Sequence, residues 1–392
     1  MTREVVILGA VRTAVGGFGG VLRDVPAIDL AERIMREALS RGGVQPQQID
    51  KTIFGCCFAP IEQNIARNAA LRAGIPKEVP GFTINSTCGS SLQALISATQ
   101  SILCGESGAA LAGGVESMSN APYLMQTARW GQRMQHLTAL DLGGKGMQEP
   151  SVGVGMGLTA ENLAEQYGIS RDEQDGYAVL SHQRAAKATA AGRFAAEITP
   201  VHIPQRKKDP VVFATDEHIR PDANLEMMAK LAPAFKKDGT VTAGNACGLN
   251  DGASAVVLMD GERGRSLGMR PLARVRAYHV AGVDPDYMGI GPVPAIRGVL
   301  QKAQLHLDDI DRFEINEAFA AQYLACEREL GLDRSKVNVL GNGIALGHPV
   351  GATGTRLVVT LLHELQAEDL TFGVASLCAG GGMGFAVLVE RL

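Results

Sequence analysis

The sequence predicts an α/β protein of two similar halves, with layered mixed sheets and helices, plus an inserted lid domain. Short apolar segments typical of strands alternate with segments that have the hydrophobic period of a helix. An apolar segment of the first half has a similar counterpart near the end of the chain, and the stretch between the two halves lacks this alternation. Apolar runs of this kind are typical of buried, largely parallel strands. With 392 residues, the chain can also form two cores, since single cores rarely exceed about 250–300 residues.

The first half contains two clear strand-to-helix passages. Residues 5–8 predict a buried strand, and a helix follows over about residues 28–39 and ends at Gly42-Gly43. Residues 82–84 predict a second strand, which enters a tight turn at 86–89. The next helix is predicted to bury one face, formed by Leu92, Leu95, Ile96, Thr99 and Leu103.

The second half repeats these features. Residues 109–114 resemble residues 374–381, and the turn and helix after Cys88 have a counterpart in residues 347–351 followed by an apolar helix over about 353–365. Between the halves, a helix is predicted to begin at Ser170, with a capping box to Glu173, and to end at Gly192. We therefore divide the chain into 1–119 plus 250–270, an inserted domain over 120–249, and 271–392.

Composition excludes several function classes. The net charge is −4 and the main basic cluster is Arg206-Lys207-Lys208, so we expect no nucleic-acid partner. Seven cysteines, an odd number without a Cys-x-x-Cys pair, indicate a reducing compartment, and we expect a cytoplasmic protein. Residues 5–8 are too few for a signal peptide, and no run approaches the ~18–20 apolar residues of a membrane span. Histidine spacing indicates no metal site, and the glycines at 153–157 lack dinucleotide-binding spacing.

Cys88 is the first candidate for chemistry. A thiol at a strand-to-helix turn faces the positive end of the helix, which can lower a cysteine pKa from ~8.5 to about 3.5–7.5. The alternative is an inert buried thiol, which the location alone favours as much. The other cysteines outside the motifs below are interpreted as core or boundary residues: Cys56, Cys57, Cys104 and Cys326.

Three polar residues in the second half favour a nucleophile at position 88. They are Asn316, His348 in Gly-His-Pro, and Cys378 before three glycines. A cysteine nucleophile requires a base, a proton carrier for the leaving group and donors to a developing oxyanion. Glycines 380–382 would let backbone N–H groups approach a thioester, whereas a glycine-rich strand bulge would leave Cys378 unexplained.

With these residues the chain resembles the thiolase family, the acetyl-CoA C-acyltransferases, from Arg3 to the C-terminus. Six motifs in order carry the resemblance: Asn85-Ser86-Thr87-Cys88-Gly89-Ser90, Gly113-Gly114-Val115-Glu116-Ser117-Met118-Ser119, Thr242-Ala243-Gly244-Asn245-Ala246, Asn316-Glu317-Ala318-Phe319-Ala320, Gly347-His348-Pro349 and Cys378-Ala379-Gly380-Gly381-Gly382. The resemblance implies a thiolase-like fold and a ping-pong enzyme for 3-ketoacyl-CoA cleavage or Claisen condensation.

The resemblance also implies roles for individual residues. Cys88 would carry the acyl group as a thioester, and His348 would activate the Cys88 thiol. Cys378 would relay a proton to or from the second substrate. One oxyanion hole would use His348 and a water held by Asn316, and the other the N–H groups of Cys88 and Gly380. Coenzyme A and acetyl-CoA would be substrates, with no cofactor and no metal.

Coenzyme A would bind the inserted domain. Arg206-Lys207-Lys208 could favour its phosphates, although a solvated face explains that run equally well. By resemblance, Arg220 would lie near the adenine, and the pantetheine would pass residues of the insertion and the second half, namely Phe235, Ala243, Cys247, Met288, Ala318 and Phe319.

The chain departs from the family pattern around this site. Many thiolases have Arg-Leu at Ser86-Thr87, Gly at Ser91 and Ser at Cys247, and acetoacetyl-CoA thiolases usually have His at Gly155. Glycine at 155 would enlarge the acyl pocket, so we expect an acyl range broader than acetoacetyl-CoA.

The segment 121–131, which includes Trp130, resembles a loop that short-to-medium-chain thiolases use in tetramer contacts, so we expect a homotetramer; an amphipathic loop is the alternative. Three other functions stay open. They are a strict acetoacetyl-CoA thiolase, a decarboxylating condensing enzyme and a catalytically impaired CoA-binding homologue.

Overall fold

The computed structural model describes residues 3–58, 62–146 and 153–392. It is an α/β fold with a mixed sheet, as the sequence predicts. The first part of the chain forms β1 (Val5–Thr13), β2 (Gly16–Gly17), α1 (Ala27–Gly42), β3 (Lys51–Gly55), α2 (Ile65–Arg72), β4 (Gly81–Ile84), α3 (Ser90–Leu103) and β5 (Ala109–Ser117).

The middle and last parts complete the set of elements. The segment between β5 and the next long strand forms β6 (Tyr123–Leu124), β7 (Leu140–Asp141), α4 (Leu142–Gly146), α5 (Met156–Gln166), α6 (Arg171–Ala190), β8 (Ile198–Thr199), β9 (Val201–Gln205), β10 (Lys208–Phe213) and α7 (Leu225–Ala229). The rest forms β11 (Asn250–Asp260), α8 (Gly261–Ser266), β12 (Ala273–Gly282), α9 (Pro292–Ala303), β13 (Arg312–Ile315), α10 (Ala320–Leu330), α11 (Gly343–Leu346), α12 (Thr353–Ala367), β14 (Phe372–Ala379) and β15 (Met383–Arg391). Part of the predicted 120–249 domain, residues 147–152, lies outside the described residues.

The two halves have the same strand order. In the first half β3-β5 pair in parallel and β5-β11-β1 antiparallel; in the second half β13-β14 pair in parallel and β14-β15-β12 antiparallel. The halves meet at β1 and β12, through the pairs Val6 with Arg274 and Ile7 with Ala273. The repeated segment 109–114 therefore lies in β5, and residues 374–379 of its counterpart lie in the equivalent strand β14.

Helices α3 and α12 lie between the two halves. Both contact strands of each half and each other. Strand β1 is apolar at consecutive positions because both of its faces are buried: Val5 and Ile7 face the α3–α12 layer, whereas Val6 and Leu8 pack with α1. The turns before α3 and α12, which contain Cys88 and His348, are thus brought to one region.

Several local predictions are confirmed and others are wrong. Helix α1 ends at Gly43 in the left-handed conformation, and Ser170 caps α6 with the predicted box to Glu173. The largely parallel arrangement is wrong, because the centre of the sheet is antiparallel. Leu103 is also exposed, since it ends α3 beyond the layer that buries the rest of the predicted face.

In the part of the chain that the structure describes, no helix combines the length and the apolar character needed to cross a bilayer.

Candidate active site

Cys88 lies in a strained turn between β4 and α3. The preceding Thr87 has a φ of +49°, in the left-handed region that a β-branched residue rarely adopts. Surrounding hydrogen bonds hold this conformation. Asn85 Oδ1 accepts from the Thr87 N–H at 3.1 Å, and the Thr87 carbonyl oxygen accepts from the Ser90 hydroxyl at 2.6 Å, the Ser90 N–H at 3.1 Å and the Cys57 thiol at 3.2 Å.

The nucleophile turn packs closely against the second half. A Cβ atom at Gly89 would lie 2.3 Å from the ring of Phe385 on β15, so glycine is required there. The Thr87 hydroxyl lies 3.1 Å from the Gly380 carbonyl oxygen, in the β14–β15 hairpin loop. These contacts join the loops of Cys88 and Gly380.

The Cys88 thiol faces two backbone donors. The N–H groups of Gly380 and of Cys88 itself act on the thiol and lower its pKa, but burial has the larger effect and raises the pKa to about 11. The position at the α3 terminus therefore does not lower the pKa of Cys88 below its ordinary value. The thiol is neutral at pH 7 and requires a base.

His348 is a buried, neutral imidazole. Burial, assisted by the positive charge of Arg356, lowers its pKa to about 3. Its Nδ1 lies 2.7 Å from the Thr353 hydroxyl, and that hydroxyl donates to the Pro349 carbonyl at 2.9 Å. Because the hydroxyl has a single hydrogen, Nδ1 is the donor of the pair, and Nε2 retains a lone pair that can accept a proton.

Asn316 joins His348 to the strand that carries Cys378. Its Nδ2 lies 3.5 Å from His348 Nε2, and its backbone N–H donates to Ser376 on β14 at 3.0 Å. The neighbouring Glu317 is buried and accepts from Tyr177 at 2.7 Å and Ser181 at 2.6 Å, both on α6. The Asn316 loop is therefore held from two sides.

Cys378 ends β14 as a buried thiol. Burial raises its pKa well above the ordinary value, and the nearby thiols of Cys88, Cys326 and Cys247 raise it further. The Cys88 and Cys378 thiols are thus close enough to interact electrostatically. The loop after His348 adjoins them, because Val350 packs in one apolar cluster with Cys88.

The residues expected along the pantetheine form one wall. The rings of Phe235 and Phe319 meet edge to face with centroids 6.0 Å apart. The Cys247 N–H donates to the Ala318 carbonyl at 3.0 Å, and burial raises the pKa of the Cys247 thiol to about 12. Met288, Ala318 and Phe319 share an apolar cluster with Cys378.

The outer residues expected to bind coenzyme A lie at the surface. Arg220 and Ala243 are exposed, and the Arg220 N–H donates to His182 Nδ1 at 3.2 Å. The basic run 206–208 is at the tip of the β9–β10 hairpin, and β9 forms a groove with α1. That groove lies outside the wall around Cys378.

Sequence reasoning missed two residues beside the nucleophile. Cys57 was interpreted as a core residue, yet its thiol donates to Thr87 and lies 3.4 Å from the Ser90 hydroxyl. Glu116 is buried and accepts N–H groups of Cys57, Phe58 and Gly351 at 2.9, 3.0 and 2.9 Å. The sequence signal for Glu116 was a charged residue within an otherwise apolar predicted strand, because buried glutamates are rare unless paired. Cys56 and Cys326 are buried as predicted, but Cys104 is exposed because it follows the last turn of α3.

One departure from the family pattern has a local reason. The Ser91 hydroxyl accepts the Thr355 N–H at 3.0 Å, and the Thr355 hydroxyl donates to the Ser91 carbonyl at 3.0 Å. Serine at 91 therefore links α3 to α12 close to both Cys88 and His348.

The arrangement can carry out acyl transfer. Two N–H groups beside the half-buried Cys88 thiol can stabilise an oxyanion, a neutral imidazole can accept the thiol proton, and a second thiol can exchange a proton with a second substrate. Within residues 3–58, 62–146 and 153–392, no group of three His, Cys, Asp or Glu side chains could hold a metal ion.

Comparisons with known proteins identify the family. Residues 5–262 match the model of the thiolase N-terminal domain, and residues 269–391 match that of the thiolase C-terminal domain. An acetyl-CoA acetyltransferase of Syntrophomonas wolfei is 51% identical, over 100% of both chains.

Two solved structures share the fold. The acetyl-CoA acetyltransferase of Bacillus anthracis superposes with a TM-score of 0.98 at 51% identity, over 100% of this chain and 99% of that one. Human mitochondrial 3-ketoacyl-CoA thiolase in complex with CoA superposes with a TM-score of 0.95 at 45% identity, over 100% of this chain and 98% of that one. The chain belongs to the thiolase family and is an acyltransferase.

Proposed function

We propose that the protein catalyses the reversible, CoA-dependent cleavage of 3-ketoacyl-CoA, and the reverse Claisen condensation, through an acyl thioester on Cys88. The observation that carries this proposal is the surroundings of the Cys88 thiol: the N–H groups of Gly380 and of Cys88 itself act on it, and it interacts electrostatically with the Cys378 thiol. A thioester carbonyl on Cys88 would meet donors at the position where negative charge develops.

In the first half-reaction His348 Nε2 takes the Cys88 proton while the sulfur attacks the 3-keto carbonyl. The thiol pKa of about 11 and the imidazole pKa of about 3 disfavour a resting ion pair. Proton transfer therefore accompanies attack on bound substrate. The bond between C2 and C3 breaks, Cys378 gives its proton to C2, and acetyl-CoA leaves.

In the second half-reaction Cys378 takes the proton of the CoA thiol, and the CoA sulfur attacks the acyl group on Cys88. The shortened acyl-CoA leaves, and the Cys88 sulfur recovers a proton from His348.

The thioester enolate of acetyl-CoA forms in the first half-reaction, when the bond between C2 and C3 breaks. A water held by Asn316, together with the His348 Nε2–H formed on attack, would stabilise this enolate. The cycle is ping-pong, and coenzyme A enters as a substrate rather than as a bound cofactor.

The acyl range is proposed to extend beyond acetoacetyl-CoA. Gly155 precedes α5 with an ordinary φ of −68°, and a Cβ added there meets no atom of the described residues within 4 Å. Two residues later, a Cβ at Gly157 would lie 2.1 Å from the Phe235 ring. The proximity of Gly157 to Phe235 supports a place for Gly155 near this wall, where a larger side chain would take up space.

A strict acetoacetyl-CoA thiolase is the second candidate. It is favoured by the relatives from Syntrophomonas wolfei and Bacillus anthracis, both named acetyl-CoA acetyltransferase. The human structure, named a 3-ketoacyl-CoA thiolase, supports the broader range at lower identity.

Thiolysis of a 3-ketoacyl-CoA series from four to ten carbons separates the candidates. We expect cleavage of several lengths, and Cys88→Ala should abolish all of it. Gly155→His should lower kcat/KM on the longer substrates by about tenfold or more relative to acetoacetyl-CoA, because it narrows an apolar pocket. Activity on acetoacetyl-CoA alone would favour the second candidate, an unchanged profile in Gly155→His would refute the pocket argument, and no cleavage of any length would refute the function.

A cytoplasmic homotetramer without a metal is proposed as the working form. The segment 123–137 exposes large apolar side chains, among them Trp130 at 88% and Met134 at 102% of full exposure, and such patches mark interfaces. Light scattering should give four times the 41.3 kDa chain mass, and Trp130→Ser should reduce it. Retention of activity after dialysis against EDTA would support the absence of a metal.

A further inference from the structure

We propose that Thr87 is a positioning residue that holds both backbone donors beside the Cys88 thiol in one fixed arrangement. The inference rests on the proposed function, and it concerns a position where many thiolases have leucine. The proposed role of Thr87 requires no contact with substrate or with the reacting sulfur. It acts through the peptide that precedes Cys88 and through the loop of Gly380.

The first donor is held by the Thr87 carbonyl group. The Thr87 carbonyl and the Cys88 N–H belong to one planar trans peptide, so they point in opposite directions. Three donors, the Ser90 hydroxyl, the Ser90 N–H and the Cys57 thiol, engage the carbonyl oxygen at 2.6 to 3.2 Å. This leaves the N–H directed to the opposite side, where it acts on the Cys88 thiol.

The Thr87 hydroxyl acts on the second donor through the adjoining peptide, because the Gly380 carbonyl belongs to the 380–381 peptide and the Gly380 N–H to the 379–380 peptide. Gly380 begins a loop of three glycines, in which Gly381 and Gly382 have positive φ values of 88° and 73°. Such a loop has few intrinsic preferences, so outside contacts must set the direction of its peptides. The Thr87 hydroxyl shares its hydrogen between the Ser86 carbonyl at 2.8 Å and the Gly380 carbonyl at 3.1 Å. It therefore ties the Gly380 loop to the nucleophile turn.

The left-handed conformation of Thr87 supports this role. A β-branched residue at a φ of +49° is unfavourable, and Gly or Asn would relieve the strain. Neither Gly nor Asn would place a hydroxyl on Cβ. Thr87 therefore combines an unfavourable backbone conformation with a hydroxyl that contacts Gly380 in the other half of the molecule.

Thr87→Ser and Thr87→Ala form a matched pair. Both remove the β-branch, and they differ by one oxygen atom, so each relieves backbone strain and is expected to fold. The titratable groups around the Cys88 thiol remain in both variants: Glu116, Cys57, Cys247 and Cys378, which interact with it electrostatically, and His348, its proposed base.

Two measurements test the proposal. The first is kcat and KM for thiolysis. Thr87→Ala should lower kcat by about tenfold or more with KM within about twofold of wild type, since complete loss of one oxyanion donor lowers kcat by about 10²–10³. Thr87→Ser should stay within about threefold of wild type. The second is iodoacetamide labelling of the Cys88 peptide as a function of pH, whose midpoint should rise by about half a pH unit or more in Thr87→Ala only.

Equal behaviour of the two variants in both measurements would overturn the proposal, and so would a loss confined to KM. If the wild-type protein cleaves no 3-ketoacyl-CoA, the proposed function fails. The labelling series still decides whether Thr87 positions the donors, because it requires no turnover.

Discussion

Glu116→Gln should weaken both the fold and the active site. Glu116 ends β5 as a buried carboxylate and connects three segments around Cys88. One oxygen accepts the Phe58 N–H at 3.0 Å, and the other accepts the N–H groups of Cys57 and Gly351 at 2.9 Å each. Glutamine keeps the volume, but it has one acceptor oxygen and directs an NH₂ group towards a donor.

The expected loss follows from these bonds. One hydrogen bond to a charged acceptor contributes about 1.5–3 kcal/mol, and two further bonds weaken by about 1 kcal/mol each when the charge is removed. The free energy of unfolding should fall by about 3.5–5 kcal/mol. An unfolding entropy of about 2.1 cal/mol/K per residue corresponds to about 0.8 kcal/mol/K for a chain of 392 residues. The melting temperature should therefore fall by about 4–6 °C.

The assay pairs thermal unfolding with thiolysis kinetics. Asp50→Asn is the matched control, because Asp50 also accepts two backbone N–H groups, of Gly108 and Ala109 at 2.8 and 2.9 Å, at the opposite end of β3 and β5. We expect both variants to lose stability and only Glu116→Gln to lose kcat, by about tenfold. A Glu116→Gln protein with wild-type melting temperature and kcat would refute the reasoning, as would equal kcat losses in the two variants.

Two further predictions concern burial and helix packing. Burial, then the charges of His218 and Arg220, lower the pKa of His182 to about 4, so the folded state keeps this ring neutral while the unfolded chain gains a proton below about pH 6.5. Stability should fall as the pH drops from about 6.5 to 4, and less so in His182→Gln; an identical pH dependence of the melting temperature would contradict this. Ser91→Ala leaves the Thr355 N–H without its acceptor and should reduce the free energy of unfolding by about 1–3 kcal/mol in chemical denaturation. An unchanged denaturation midpoint would show that the link between α3 and α12 is dispensable.

Local patterns predicted much of the fold. The double apolar face of β1, the capping box at Ser170 and the left-handed glycine after α1 are properties of contiguous residues, and the structure has all three. The relative direction of paired strands was harder to predict from the sequence. The mixed order of the sheet depends on which strands meet, and a short apolar run has the same appearance in parallel and antiparallel pairs.

By itself the sequence determined the family, the α/β class and which residue types carry the proposed chemistry, because motif order and hydrophobic periodicity are properties of the linear sequence. Only the tertiary structure decided the protonation states. Burial raises the pKa of the Cys88 thiol to about 11, and the Thr353 hydroxyl sets the tautomer of His348. Desolvation depends on segments distant in sequence, so no local pattern could reveal it. The same holds for Thr87, whose partner at Gly380 lies in the other half.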